Sequence, residues 1–189
     1  MNAKLAATFE QDRYLVFRPT LPPDDLLRIY RYAKYVAVLG VMWPGDQQVP
    51  ETPCSYGDQT MDGLLDRLLP EIEDTAGLSL FPTYSYVRVY KGGDVLQRHV
   101  DRPSCEISVS LCLGYDAPEP WPLWIEGPHG ARSIALGAGE ALLYHGTECP
   151  HWRDEFSGNH LVQVFLHYVD QHGLHADWKF DKRPSLSHL

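Results

Sequence analysis

The chain has 189 residues and 21.5 kDa, with 44% hydrophobic and 22% charged residues, enough for one domain with a full core. Its net charge of −9 argues against a duplex nucleic-acid partner, which requires a basic face. No apolar run reaches the roughly 20 residues a bilayer demands, the N-terminal MNAKLAATFEQDRY lacks a signal-like apolar core, and Cys54, Cys105, Cys112 and Cys149 show no C-x-x-C spacing, so a cytoplasmic protein without a membrane partner is expected.

In chain order, YLVF (Tyr14 to Phe17) reads as a short strand. LPPDDLLRIYRYAKYVAVLG then carries prolines and acids where a helix begins and Gly40 where it ends. Met61, Leu64, Leu65, Leu68 and Leu69 recur at three- and four-residue steps and predict a second helix, which Pro70 should kink or restart. Both apolar stripes are expected to pack on a sheet. From Pro82 onward the period changes to two. TYSYVRVY puts Tyr84, Tyr86, Arg88 and Tyr90 on one side, where at least one tyrosine is expected to be simple core packing. CEISVSLCL, PLWIEG, RSIALG, GEALLYHG and HLVQVFLHYVD follow, separated by Gly, Pro and Asp. Helices first and strands after describe an α+β chain whose functional half is a β-sandwich or barrel.

Within YKGGDVLQRHVDRPSCEISVSLCL, His99 and Asp101 flank Val100. If extended, the two polar side chains share one face and offer a nitrogen and an oxygen to a metal. A third ligand must come from farther along, among His129, His145, His151, His160, His167, His172, His175 and His188. His129 in EGPHGAR reads as a turn, and His172 and His175 follow the last strand and should be exposed. The informative stretch is GEALLYHGTECPHWRDEFSGNHLVQVFLHYV, a strand, a broken loop with His151, a Ser-Gly turn and a final strand.

The ordered set VRVYKGGDVLQR, His99-x-Asp101, GEALLYHG, PHW and SGNHLVQVFLHY resembles the Fe(II)/2-oxoglutarate-dependent oxygenases, particularly their prolyl-4-hydroxylase-like branch, over Tyr84 to Val169. The resemblance implies a double-stranded β-helix, jelly-roll or cupin-like, with the N-terminal helices packed on one sheet. Residues 1–189 would form a single oxygenase domain: a strand and supporting helices to 80, the jelly-roll core over 81–170, and a tail over 171–189. It implies His99, Asp101 and His151 as metal ligands, with His145 at a non-ligand position, and Tyr90 as a contact of the co-substrate carboxylate. Cofactors would be Fe(II), 2-oxoglutarate and O2. The reaction would hydroxylate a C–H bond of a small molecule, amino acid or peptide residue, releasing succinate and CO2; the carboxylate ligand Asp101 favours hydroxylation over halogenation.

One position departs from the pattern. Where the family carries an Arg or Lys for the distal carboxylate of 2-oxoglutarate, this chain has His160, preceded by Asn159. An imidazole is only partly charged at neutral pH and lacks the guanidinium fork. Either His160 takes the role, alone or with another base, or Arg88 substitutes from the Tyr90 side of its strand, or the co-substrate differs. Arg153 reads as a loop residue paired with Asp154 or Glu155. Arg102 and Glu106 either line the substrate mouth or pair with each other, and Trp152 reads as packing. Two other classes fit the same residues: a metal-binding jelly-roll sensor without turnover, and a cupin-type oxygenase that uses no 2-oxoglutarate. Nothing in the pattern fixes the oligomeric state.

Overall fold

The computed structural model describes residues 2–187. His188 lies outside them. Helix α1 (Asn2–Asp12) precedes β1 (Tyr14–Phe17), α2 (Pro23–Val38), β2 (Cys54–Tyr56) and α3 (Gln59–Ala76). Eight strands then follow: β3 (Leu80–Lys91), β4 (Leu96–His99), β5 (Ile107–Asp116), β6 (Leu123–Gly127), β7 (Gly130–Ile134), β8 (Ala141–His145), β9 (His151–Arg153) and β10 (His160–Asp170). A 3-10 segment, Ala176–Lys182, comes after the last strand. No helix among the described residues is long and apolar enough to cross a membrane.

The helices form where the spacing predicts, with two differences. Asp58 caps α3 by accepting from the Thr60 and Met61 amides at 2.9 and 3.1 Å, and Gly77 ends it with a left-handed φ of 71°. Pro70 does not divide this helix, which continues to Ala76. The stripe Met61, Leu64, Leu65, Leu68, Ile72 and Ala76 is buried on both sides of the proline and holds the two halves on one sheet. Each large apolar side chain buried this way contributes roughly 1.5–3 kcal/mol, enough to offset the hydrogen bond that proline cannot make. Helix α1 was not among the expected elements, although NAKLAATF is rich in strong helix formers.

Two antiparallel sheets carry the rest, one of order β1-β8-β5-β10-β3-β2 and one of order β4-β9-β6-β7. The chain is therefore α+β with antiparallel sheets. One apolar cluster joins the helices to the outer face of the six-stranded sheet; a second fills the space between the sheets. Strand β10 serves both clusters, which is why it reads as a nearly continuous apolar run. Val162, Val164, Leu166 and Tyr168 face the helix side, whereas Leu161 and Phe165 belong to the cluster between the sheets. Register pairs Gln163 with Arg88, Phe165 with Tyr86 and His167 with Tyr84. The alternation of β3 thereby turns into a wall of one cavity.

Candidate metal centre

Strand β4 ends at His99, so Asp101 lies two residues beyond the strand end rather than within the ladder. His99 and His151 are direct partners across the β4–β9 pairing. The Asp101 amide donates to the Gly146 carbonyl at 2.8 Å, which fixes the backbone as it leaves the strand. These three side chains place one ligand atom each within 4.8 Å of one another. The Asp101 Oδ1 atom stands 3.7 Å from His99 Nε2 and 3.6 Å from His151 Nε2.

Hydrogen bonding fixes what these atoms can do. His99 Nδ1 lies 2.8 Å from the Gln97 carbonyl and His151 Nδ1 lies 2.9 Å from the Cys149 carbonyl. A carbonyl only accepts, so each ring carries its proton on Nδ1 and turns the Nε2 lone pair inward. Two lone pairs and a carboxylate oxygen then converge with no donor between them. Burial holds His151 neutral, its pKa pushed down to about 4, and lowers His99 as well, with the neighbouring His151 adding to it. Burial also raises the Asp101 carboxyl to about 6, against the opposing pull of His99 and of the Ser108 hydroxyl. Three acceptors facing one another in a partly buried site are mutually repulsive, and a cation resolves that. Two imidazoles and one carboxylate suit a first-row transition metal with open positions opposite them.

The centre opens into a cavity of about 450 Å³ lined by Tyr84, Tyr86, Arg88 and Tyr90 from β3, together with Tyr144, Phe165 and His167. Four alternating residues of one strand thus share this wall. Arg88 is 1% exposed. It pairs with Asp46 from the loop before β2, which also accepts from the Tyr86 hydroxyl. Its Nε and Nη1 have no hydrogen-bond partner. A buried orphan donor costs roughly 1–3 kcal/mol or more when charged, which marks a place for a ligand acceptor.

Arg153 differs from the sequence reading. It is not a loop residue paired with Asp154 or Glu155, but lies in β9 two residues after His151, on the same inward face. It is 2% exposed, donates to the Trp121 carbonyl at 2.6 Å and to Gln163 Oε1 at 3.4 Å, and leaves Nε unpartnered. No carboxylate among the described residues pairs with it. The Arg88 and Arg153 guanidinium carbons stand 5.5 and 5.8 Å from the Tyr90 ring centroid, so that tyrosine sits between two buried cations.

Other candidates go elsewhere. His160 is on the helix-facing side of β10, with Nε2 2.6 Å from the Tyr30 hydroxyl of α2; it does not line the cavity. Strand alternation gives the inward position to Leu161. His145 stacks on Phe9 of α1, with centroids 4.5 Å apart, away from the metal ligands. His129 occupies the β6–β7 turn, His172 is exposed and His175 half-buried. His167, passed over in the sequence, is buried in the cavity wall with Nδ1 2.9 Å from the Ser108 hydroxyl, which also reaches Asp101. Arg102 lines the cavity and pairs with Asp181, not Glu106, whose carboxylate takes the Asp170 amide. Trp152 stacks on Trp124, outside the cavity.

No protein-family model matches the sequence, and no curated protein sequence is significantly similar to it. Solved structures do match the fold. A Pseudomonas putida prolyl-4-hydroxylase superposes with a TM-score of 0.74 at 17% identity, over 90% of this chain and 99% of that one. A prolyl hydroxylase from Trichoplax adhaerens, in complex with a hypoxia inducible factor peptide fragment, gives 0.73 at 15% identity, over 90% and 89%. The epimerase SnoN, in complex with Fe3+, alpha ketoglutarate and nogalamycin RO, gives 0.73 at 14% identity, over 89% and 83%. At these identities the likeness is one of fold.

Proposed function

We propose that this chain is a non-heme Fe(II)- and 2-oxoglutarate-dependent dioxygenase, a single catalytic domain built on a double-stranded β-helix, that hydroxylates a C–H bond of a small molecule, amino acid or peptide residue. The observation that carries the reading is the convergence of His99 Nε2, His151 Nε2 and Asp101, with both histidine tautomers fixed for metal ligation, beside a cavity walled by unsatisfied guanidinium donors. Its neighbours in fold support it, since one of them holds iron and alpha ketoglutarate. His99, Asp101 and His151 would hold Fe(II). Bound there, the metal would supply oxidation by dioxygen, with 2-oxoglutarate split to succinate and CO2 as the substrate is hydroxylated.

The chain's own residues account for the co-substrate. Arg88 lines the cavity with two unpartnered donors and shares its charge with a single carboxylate, Asp46, so it favours the carboxylate of an oxo-acid. In this reading Arg88, with Tyr90 beside it, takes the anchoring role in place of His160, and Arg153 sits behind Tyr90 without lining the cavity. Tyr144 packs its ring edge against His151 with its hydroxyl towards Asp101, and Phe165 lines the cavity beside them. The reading as a sensor without turnover rests mainly on the His160 departure, which an anchor at Arg88 weakens.

The test is anaerobic titration of the purified protein with Fe(II), then with 2-oxoglutarate, following the weak visible charge-transfer band. A band that needs both components supports the proposal. Iron binding without a band on adding 2-oxoglutarate rejects it.

A further inference from the structure

Arg102 directly follows Asp101 and lines the same cavity. Its guanidinium lies 4.7 Å from the Tyr84 ring centroid, and Tyr84 in turn stacks on Tyr56 at 4.7 Å. Between these groups sits one carboxylate. Arg102 Nη1 and Nη2 donate to the two oxygens of Asp181 at 2.9 and 2.7 Å, and the Tyr56 hydroxyl donates to Oδ2 at 2.6 Å. A planar fork with a third donor is the arrangement that recognises any carboxylate, whichever molecule carries it.

The chain supplies that carboxylate at a cost. Phe180, Asp181 and Lys182 have φ of 54°, 56° and 61°, three successive left-handed residues that are not glycine. Such backbone persists only where contacts over-determine it. The following residues are tied down independently: Arg183 donates to the Thr83 carbonyl and pairs with Asp62, the Ser187 amide also donates to Asp62, and Leu186 is buried. Asp181 can therefore leave without the end of the chain coming loose. Beyond the seat the cavity wall is aromatic, with Trp43, Tyr86 and Phe165. The other cation on that wall, Arg88, pairs with Asp46 through Nη2 and is the anchor the oxygenase reading assigns to the co-substrate.

We propose that Arg102 and Tyr56 form a carboxylate seat at the cavity mouth, occupied by Asp181 until a substrate displaces it, and that the substrate is an organic acid with an apolar or aromatic body. The substrate part of this inference rests on the oxygenase reading. With its acid group on Arg102, such a molecule lays its body along the aromatic wall towards His99, Asp101 and His151. Asp181 is then an internal competitor that keeps the site closed to uncharged molecules.

The test uses matched acids and amides, phenylacetate with phenylacetamide and hexanoate with hexanamide, titrated calorimetrically into the full chain without added metal. The acids are expected to bind at least about ten times more tightly than their amides. Asp181→Asn is expected to tighten the acids by about tenfold by removing the competitor, and Arg102→Gln to abolish the acid preference. Hydrogen exchange of residues 176–182 should rise with the acids and stay unchanged with the amides, which decides the matter in the native chain if Asp181→Asn fails to fold. Acids that bind no better than amides overturn the proposal, as does an acid preference that survives Arg102→Gln and so belongs to Arg88. The charge-transfer band is scored separately. A band without acid preference sinks the seat alone, and acid preference without a band sinks the oxygenase reading alone.

Discussion

His99 and His151 face each other across the β4–β9 ladder, and each donates Nδ1–H to the carbonyl two residues before it, Gln97 and Cys149. The symmetry of these two bonds leaves both Nε2 lone pairs aimed at Asp101. Removing Asp101 should therefore separate metal binding from folding. Asp101→Ala is expected to weaken Fe(II) binding by at least about 100-fold. It should also raise the stability of the metal-free chain by roughly 1–3 kcal/mol, because a buried carboxylate without a cation is lost. Anaerobic Fe(II) titration and urea unfolding check the two halves; unchanged iron affinity would displace Asp101 from the ligand set.

Part of this site is legible in the sequence because it depends on strand alternation: Tyr84, Tyr86, Arg88 and Tyr90 share a side by period two. His99 and Asp101 converge as the spacing suggests, but Asp101 lies beyond the strand and is held by the Gly146 carbonyl. His160 comes from the family pattern rather than from alternation: Leu161, not His160, points inward, and one position along a strand flips the side chain to the other face. Arg153 was hidden differently. Its acidic neighbours Asp154 and Glu155 suggest a solvated loop, yet its spacing of two from His151 already put it on the ligand's face. The pairing of Arg102 with Asp181, 79 residues away, has no local signal at all.

The anchoring of the co-substrate gives a second prediction. Arg88 lines the cavity and has two orphan donors. Arg88→Leu is expected to weaken 2-oxoglutarate binding by about 30-fold or more, since a buried charged contact is worth roughly 2–5 kcal/mol. Fe(II) affinity should change little. His160→Ala, which breaks only the contact with Tyr30, should leave 2-oxoglutarate binding alone and cost about 1 kcal/mol of stability. A rise in the 2-oxoglutarate dissociation constant for the His160 variant would return the anchor to β10.

Acid should compete with the metal through the carboxylate before it does so through His151. Asp101 holds its proton up to about pH 6, whereas His151 is kept neutral down to about 4. Metal must expel the Asp101 proton below pH 6, so Fe(II) affinity is expected to fall by about tenfold per pH unit there and to level off above it. Fe(II) titrations at pH 7, 6, 5.5 and 5 measure this directly. Affinity that holds steady down to pH 5 would contradict the environment described for Asp101.

Gly146 offers a way to disturb the centre without touching a ligand. Its carbonyl accepts the Asp101 amide and its own amide donates to the Glu106 carbonyl. A Cβ at this position would lie 2.2 Å from the Cys105 carbonyl oxygen and 2.5 Å from Asp101 Oδ2. Its backbone is not left-handed, so alanine would be strained by crowding alone. Gly146→Ala is expected to destabilise the chain by roughly 1–3 kcal/mol and to weaken Fe(II) binding by about tenfold or more as Asp101 is pushed from its place. Urea unfolding with and without Fe(II) separates the two effects. If metal still stabilises the variant as much as the native chain, Asp101 is held by something other than this close approach.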